Sequence, residues 1–227
     1  MNRGPTWRRL PLVVVAAFAV LSVALLAAGL WRGAEPRTAP PAPSVTAPAG
    51  PEAGASTASP SPEHRHEAGH GRPATALSRS APTRVTVPAI GVSSALEDLG
   101  LDDDGAMQTP RDPDLAGWYT PGPAPGERGP AVIAGHVTWD GDRSVFYRLG
   151  ELVPGDTVTV DREDGRTATF TVDRVEQYPK DAFPTVEVYR NLDHAGLRLI
   201  TCAGDYSAAE RRYADNIVVY ATLTRAE

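Results

Sequence analysis

The sequence predicts an all-β fold after about residue 81, in the form of a closed or nearly closed β-barrel. At least six short runs are rich in Val, Ile and Thr, and Gly, Pro and Asp separate them: RVTVPAIGV, PAVIAGHV, DTVTV, TATFTVDRV, LRLITCAG and NIVVYATL. β-Branched residues in short runs bounded by turn formers are typical of strands. No long amphipathic helix interrupts these runs, and many short strands without long helices indicate a barrel.

The run TATFTVDRV predicts which side chains share a face, and the residues before it predict a turn. TATFTVDRV alternates, so Ala168, Phe170, Val172 and Arg174 are expected on one face of an extended strand. EDGR at 163–166 lies between two strand-like runs and contains Asp-Gly, a pair that favours hairpin turns. We therefore predict a hairpin at 163–166. Short helices are expected only at 93–99, 144–149 and 185–190.

The N-terminal segment predicts a membrane anchor. Residues 10–30 carry no charge across 21 positions, which is long enough for a helix to cross a hydrocarbon core of roughly 30 Å. Arg3, Arg8 and Arg9 precede this segment, and only Arg32 follows it closely. The positive-inside rule then predicts a single-pass protein of the cell membrane, with its remainder extracellular. A cleaved signal peptide is the alternative, because small residues end the apolar run.

A linker follows the predicted anchor. Residues 33–80 are rich in Pro, Ala, Ser and Thr with almost no large apolar residue, so they cannot bury a core and are expected to be disordered. The HRHEAGH run at 64–70 has no folded frame to hold its three imidazoles, and we predict no metal site there. The predicted organisation is a cytoplasmic N-terminus and transmembrane anchor at 1–32, the linker at 33–80 and a folded domain at 81–227.

Charge and cysteine content exclude several classes of function. The net charge is −6, so the chain lacks the basic character expected of a protein whose main partner is nucleic acid. The single cysteine excludes an intramolecular disulfide. In an exported chain, an unpaired thiol is buried, linked to another chain or chemically useful.

Cys202 and His136 are the candidate reactive residues. Cys202 ends the run LRLIT and is followed by Ala-Gly-Asp, which places it at the C-terminal edge of a predicted strand. His136 ends AVIAG in the same way. Attack on a carbonyl requires a thiolate nucleophile and an acid that protonates the leaving amine, and Cys and His supply both. The alternatives are an inert buried cysteine and a structural histidine.

An arginine is the third candidate, because a guanidinium holds a substrate carbonyl and stabilises an oxyanion with a fixed set of donors. Arg211 and Arg212 precede the predicted strand 216–223, about ten residues after Cys202. If that strand pairs with the one that ends at Cys202, its start lies beside the thiol.

These motifs carry a family resemblance. AGHV at 134–137, LITCAG at 199–204 and YADNIVVYA at 213–221 resemble the sortases, and most closely the class F sortases of actinobacteria. VTVPAIGV at 85–92 is similar to the first strand of that family, and the resemblance covers 83–224. It implies a closed eight-stranded sortase-type β-barrel with short helices, and cysteine transpeptidase activity.

The resemblance also implies a reaction. The Cys202 thiolate attacks the Thr–Gly carbonyl of an LPxTG-like sorting signal in a secreted protein, which gives a thioacyl enzyme. His136 protonates the departing glycine amine. An amine on a peptidoglycan precursor then resolves the thioester and attaches the protein to the cell wall. No cofactor is required.

The third catalytic residue departs from the family pattern. In similar proteins an arginine often follows the tyrosine of the last motif, where this chain has Ala214. Positions 212, 214 and 216 share one face of an extended strand, so we predict Arg212 as the catalytic arginine. Arg211 is the alternative and would require a bulge or a turn.

Two further residues are predicted to bind substrate. Thr201 directly precedes the nucleophile, and Trp118 belongs to an aromatic segment, AGWYTPG, that resembles a groove-lining segment of the family. A β-branched strand residue and plain core packing are the respective alternatives. For the whole chain, the alternatives are a barrel that binds peptides without catalysis and a thiol peptidase that hydrolyses the same signal. A metal-dependent hydrolase is disfavoured, since the folded domain has only His136 and His194 as imidazole ligands.

Overall fold

A computed structural model describes residues 74–227. Within that range there are ten strands, one α-helix and three 3₁₀ turns. The strands are β1 (Pro82–Val87), β2 (Val92–Leu99), β3 (Ala116–Tyr119), β4 (Gly129–Gly135), β5 (Thr138–Trp139), β6 (Asp142–Arg143), β7 (Thr157–Arg162), β8 (Thr167–Pro179), β9 (Ala195–Ser207) and β10 (Arg212–Ala226). The helix is α1 (Thr185–Tyr189), and the 3₁₀ turns are Pro88–Ile90, Leu149–Glu151 and Lys180–Ala182.

Eight of these strands form a closed barrel, which confirms the predicted all-β, eight-stranded architecture. The order around the barrel is β1-β2-β3-β4-β9-β10-β8-β7, and β7 pairs back with β1 to close it. Neighbours are antiparallel except for two parallel pairs, β2 with β3 and β4 with β9. The short strands β5 and β6 form a two-stranded sheet of their own.

Alternate residues of the strands fill the barrel. Ala168, Phe170 and Val172 of β8 are almost fully buried in the main core, as the alternation predicts. The prediction that Arg174 shares their face is wrong. The pairing of β8 with β10 shifts between Val172 and Arg174, and this bulge turns Arg174 to the outer face, where its guanidinium lies over the Tyr220 ring.

The predicted hairpin and helices have mixed outcomes. The hairpin at 163–166 is confirmed between β7 and β8, and 185–190 contains α1. Residues 144–149 form a turn that leads into the 3₁₀ turn Leu149–Glu151. The predicted helix at 93–99 is wrong, because the segment belongs to β2. Two partners, antiparallel β1 and parallel β3, outweigh the helix propensity of its Ala, Leu and Glu residues.

A second layer covers part of the outer barrel wall. Val132, Ile200, Val218 and Tyr220 point outwards from β4, β9 and β10 but are 6% exposed or less. Val188 of α1 packs on them. Further partly buried residues complete the cluster: Met107, Tyr119, Tyr178, Phe183 and Tyr189. The segment between β8 and β9 therefore forms a cover over this part of the wall.

The N-terminal end of the described chain packs on the barrel. The Ala74 amide donates to the Leu223 carbonyl at 3.1 Å, and the Leu77 amide donates to the Gly126 carbonyl at 2.7 Å. The predicted anchor at 10–30 and most of the predicted linker lie outside the described residues. No helix in the described part of the chain is both long and apolar enough to cross a bilayer.

Close packing at the end of β4 makes Gly135 a sensitive position. A Cβ atom there would lie 2.6 Å from the Phe146 ring and 2.7 Å from a Val145 methyl group. Because Phe146 is fully buried, Gly135→Ala is expected to lower the free energy of unfolding by about 1–3 kcal/mol, measured by urea denaturation. Gly100→Ala is the control, since its Cβ would approach only the flexible Gln108 side chain, at 3.4 Å. Equal stability of the two variants would contradict this packing.

Candidate active site

The parallel pairing of β4 with β9 brings Cys202 and His136 together. In this pairing Val132 lies opposite Arg198 and Ala134 lies opposite Ile200. Continuing the same register places His136 beside Cys202. Because side chains alternate along a strand, Cys202 shares the outer face with Ile200, and His136 directly follows Gly135, the last residue of β4. The two candidate reactive residues are therefore neighbours on the outer wall.

Thr201 links β9 to the end of β4. Its side chain is buried, and its hydroxyl donates a hydrogen bond of 2.8 Å to the carbonyl of Gly135. Gly135 directly precedes His136, just as Thr201 directly precedes Cys202. The bond therefore couples the backbone before the histidine to the backbone before the cysteine. Thr201 was predicted to bind substrate, and the structure gives its hydroxyl this internal partner.

The immediate surroundings of the Cys202 thiol include a cation. Cys202 is partly buried and packs against Val137, Tyr147 and Tyr213. The Lys180 ammonium donates a hydrogen bond to the Cys202 sulfur at 3.3 Å. Lys180 lies in the 3₁₀ turn that follows β8. Sequence reasoning missed this residue because it precedes the cysteine by 22 positions and belongs to no motif, although it is the only lysine in the chain.

The position of Cys202 within β9 differs from the prediction. Cys202 was expected to end its strand, but β9 continues to Ser207 because β10 pairs with it beyond the thiol. What ends near Cys202 is the pairing with β4, whose last residue is Gly135. One edge of β9 is therefore open at the thiol. On the other edge Asn216 lies directly opposite Cys202, a neighbour that the sequence analysis did not identify.

His136 is held by the loop between β2 and β3. Its Nε2 lies 2.8 Å from the Pro110 carbonyl, which can only accept, so Nε2 carries the proton. The Glu97 carboxylate accepts hydrogen bonds from the backbone amides of Arg111 and Asp112, each at 3.0 Å, and so fixes this loop. The exposed Trp139 ring packs against the imidazole in an edge-type arrangement, with 5.0 Å between the two ring centres.

The two candidate arginines lie away from the thiol. Arg212 is opposite Ser207, five residues beyond Cys202 on β9, which is roughly 15 Å along the strand. Its guanidinium forms an ion pair with Glu210 at 2.7 Å, and its side chain is 59% exposed. The pairing shifts between Tyr213 and Asp215, where β9 has one residue more than β10, and Arg212 therefore lies opposite Ser207 rather than closer to the thiol. Its catalytic role stays a prediction, and Arg211 adopts a positive φ of 53° in the turn.

Trp118 lies in the barrel core. It is 5% exposed, and its indole N–H donates to the Pro123 carbonyl at 3.1 Å. The next residue, Tyr119, points the other way, because successive strand residues face opposite sides. Tyr119 joins the outer cluster and lines the neighbouring cleft. The structure thus brings Tyr119, rather than Trp118, to the outer face that carries the thiol.

A cleft opens on the same outer face, and we call it the β4 cleft. Its volume is about 480 Å³, and its lining contains no charged side chain: Leu101, Gly105, Met107, Tyr119, Pro121, Gly122, Pro123, Pro130, Val132, Thr185, Tyr189 and Asn191. Burial raises the pKa of the Tyr189 hydroxyl, so this group is neutral. Val132 precedes His136 by four residues, a distance of about 13 Å along a strand. Ala134 and Ile200 lie between the cleft and the thiol.

The outer wall beside the cleft contains a buried arginine, Arg198, which lies opposite Val132. Arg198 is 6% exposed and its guanidinium lies 4.4 Å from the Tyr220 ring centre. Burial lowers the pKa of Arg198 to about 10. The Arg174 guanidinium contacts the same Tyr220 ring, with its central carbon 3.6 Å from the ring centre. Cation–π contacts thus link β8, β9 and β10 on this face.

Comparison with known proteins identifies the family. The model of the Sortase domain family matches residues 85–224, which is more than half of the chain. The chain belongs to the sortase family. It is therefore a cysteine transpeptidase, and the chain contains one cysteine. No curated protein matches it.

Solved sortase structures share the fold. Sortase A from Corynebacterium diphtheriae superposes with a TM-score of 0.50 at 17% identity, over 65% of this chain and 61% of that chain. Sortase A from Listeria monocytogenes gives a TM-score of 0.48 at 18% identity, over 65% of this chain and 89% of that chain. At this level of identity the similarity concerns the barrel fold alone.

The Thr201–Gly135 hydrogen bond can be tested by removing one donor. Thr201→Val keeps the size of the side chain but leaves the buried Gly135 carbonyl without its partner. We expect the free energy of unfolding to fall by about 1–2 kcal/mol in urea denaturation. Thr201→Ser, which retains the hydroxyl, is the control. A Thr201→Val variant as stable as the wild type would show that the bond contributes nothing.

Proposed function

We propose that Cys202 is the nucleophile and His136 the general acid of a transpeptidation that attaches secreted proteins to a cell-wall amine. The adjacency of the two residues on the outer wall, at the end of the β4–β9 pairing, carries this proposal. The carbonyl contact of His136 Nε2 supports it, because the Pro110 carbonyl accepts the Nε2 hydrogen and so orients the imidazole. A protonated imidazole beside a thiolate is the charge state that the reaction requires.

The reaction balances with these two groups. The thiolate of Cys202 forms a bond to the Thr carbonyl carbon, and the carbonyl electron pair moves to the oxygen. Collapse of this intermediate breaks the C–N bond, and His136 gives its proton to the departing glycine amine. An incoming amine then attacks the thioester and loses a proton to His136, and the sulfur leaves as a thiolate. One amide bond is broken and one is formed.

We propose an LPxTG-like sorting signal as the substrate, with its first residues in the β4 cleft. Four residues of an extended peptide span about 13 Å, which equals the distance along β4 from Val132 to His136. A peptide whose Leu-Pro end occupies the cleft would therefore place its Thr–Gly bond near Cys202. The uncharged lining of the cleft suits the apolar Leu and Pro side chains.

We further propose that this sortase is a class F enzyme, anchored in the cell membrane with its catalytic domain outside. The LITCAG and YADNIVVYA motifs support the subclass, and the apolar segment 10–30 with its preceding arginines supports the topology. The acceptor would be the amine of a peptidoglycan precursor. An anchored enzyme on a Pro-rich linker of this length would reach into the cell wall.

Peptide cleavage tests the two catalytic assignments. The full-length chain in detergent is given a quenched fluorescent LPxTG peptide and a glycine-type amine. Cys202→Ala and His136→Ala are each expected to lower kcat/KM by about a thousandfold or more, since each removes a reacting group. His194→Ala is the control: its imidazole is paired with the exposed Asp193 side chain, and the rate of this variant should stay within about twofold of wild type. Cleavage that persists in Cys202→Ala would exclude the thiol mechanism.

Product analysis separates transfer from hydrolysis. With increasing amine, mass spectrometry is expected to show a growing share of the amine-linked peptide, because amine and water compete for one thioester. The control omits the amine and should yield only the hydrolysed peptide. If the hydrolysed peptide remains the sole product at every amine concentration, the protein acts as a thiol peptidase on this substrate.

A further inference from the structure

The only lysine of this chain contacts its only cysteine. Of the 22 Lys and Arg residues, Lys180 is the single lysine, and every other cationic position is an arginine. Lys180 is partly buried, and its Nζ lies 3.3 Å from the Cys202 sulfur. The cations of the ion pairs formed by Lys or Arg in the described chain are all arginines. The exception occurs at the one thiol, so the contact calls for an explanation in terms of that thiol.

The strand pairing fixes the position of the Lys180 backbone relative to Cys202. Tyr178 of β8 lies opposite Asn216 of β10, and Asn216 lies opposite Cys202 of β9. These three residues form one row across the outer wall. Lys180 follows Tyr178 by two positions, in the 3₁₀ turn that ends the strand. Its side chain therefore needs only to reach back across one strand to meet the sulfur.

A side-chain contact further holds the ends of β8 and β10 together. The Gln177 amide donates to the Asp215 carboxylate at 2.6 Å, across the same two strands. Within residues 74–227, no carboxylate forms an ion pair with Lys180. The charge of Lys180 is therefore directed at the sulfur rather than neutralised by an acid.

The candidate arginines offer no comparable contact. The Arg212 guanidinium is exposed and paired with Glu210, on the far side of a shift in strand pairing. Asn216, the β10 residue opposite Cys202, carries no charge. Of the cations in the described chain, Lys180 is the one hydrogen-bonded to the Cys202 sulfur. A charge at this distance acts strongly in a partly buried site, because screening by water is reduced.

We propose that Lys180 is a catalytic residue of this sortase: its ammonium stabilises the Cys202 thiolate and then the oxyanion formed on the substrate carbonyl. This inference rests on the proposed function and adds a residue to it. Lys180 keeps its proton throughout. One N–H bonds the sulfur before attack, and the ammonium has three donors, so another can bond the oxygen when the carbonyl electron pair moves onto it. When the C–N bond breaks, the leaving amine takes its proton from His136.

Alkylation of the thiol tests this inference without any peptide. The single cysteine makes the reaction site-specific in the full-length chain in detergent. Rates with neutral iodoacetamide and anionic iodoacetate are measured at pH 7 for wild type, Lys180→Met and Lys180→Arg. Lys180→Met is expected to react about tenfold more slowly with iodoacetamide, and more slowly still with iodoacetate. Lys180→Arg, which keeps the charge, should stay within about threefold of wild type.

Arg225→Met is the matched control. It removes one positive charge, as Lys180→Met does, but Arg225 is an exposed residue near the end of β10, paired with Glu227. Its alkylation rates should stay within about twofold of wild type. A Lys180→Met variant that unfolds at the wild-type temperature and is alkylated at the wild-type rate would overturn the inference. If alkylation of Cys202 is slower in Arg212→Met but not in Lys180→Met, the inference is overturned and the role belongs to Arg212.

Peptide cleavage by the same variants separates this inference from the proposed function. If wild type cleaves the LPxTG peptide and Lys180→Met matches its kcat, the role of Lys180 fails while the transpeptidase proposal stands. If Lys180→Met slows alkylation but wild type cleaves no peptide in a panel of sorting signals, the thiolate contact stands and the proposed substrate fails. A loss of kcat in Lys180→Met that Lys180→Arg recovers supports both.

Discussion

The parallel pairing of β4 with β9 is the constraint on which the site depends. Most neighbours in this barrel are antiparallel, and antiparallel strands end at opposite edges. Parallel neighbours end at the same edge, so the residues that follow them meet. His136 directly follows β4, and Cys202 lies on β9 just past its last residues paired with β4. Register matters equally, because a slip of β9 by one residue would turn Cys202 into the barrel and expose Leu199.

The segment between β8 and β9, which covers part of the outer wall, shapes the surroundings of Cys202. The segment between β8 and β9 packs α1 on the wall and carries Lys180 at its start. It also supplies Thr185 and Tyr189 to the β4 cleft. One segment thus contributes both a charge at the thiol and a wall of the cleft where we place the peptide. Because it excludes water from part of the outer face, interactions between charges there are stronger than on an open surface.

The sequence predicts most of the fold but only part of the site. Alternation of buried residues and the Asp-Gly turn are local signals, and the barrel and the hairpin at 163–166 follow from them. The strand at 93–99 depends on pairing with both β1 and β3, and the outward Arg174 depends on a bulge in the pairing of β8 with β10; neither leaves a pattern in the local sequence. Cys202 and His136 stand out by residue type. Lys180 and Asn216 reach the thiol only through strand pairing, and the place of Arg212 opposite Ser207 likewise follows from the register of β9 with β10, which no spacing rule reveals.

The proposed transpeptidation requires that the Cys202 sulfur becomes acylated by the sorting signal. The most direct measurement is intact-mass and peptide-mapping analysis of the full-length chain after brief incubation with an excess of LPxTG peptide and rapid acid quenching, followed by treatment with hydroxylamine. If Cys202 is acylated, the chain gains a mass equal to the peptide acyl fragment, located on the fragment that contains Cys202 and released by hydroxylamine. Peptide cleavage with an unmodified Cys202, or an adduct on another residue, would contradict it.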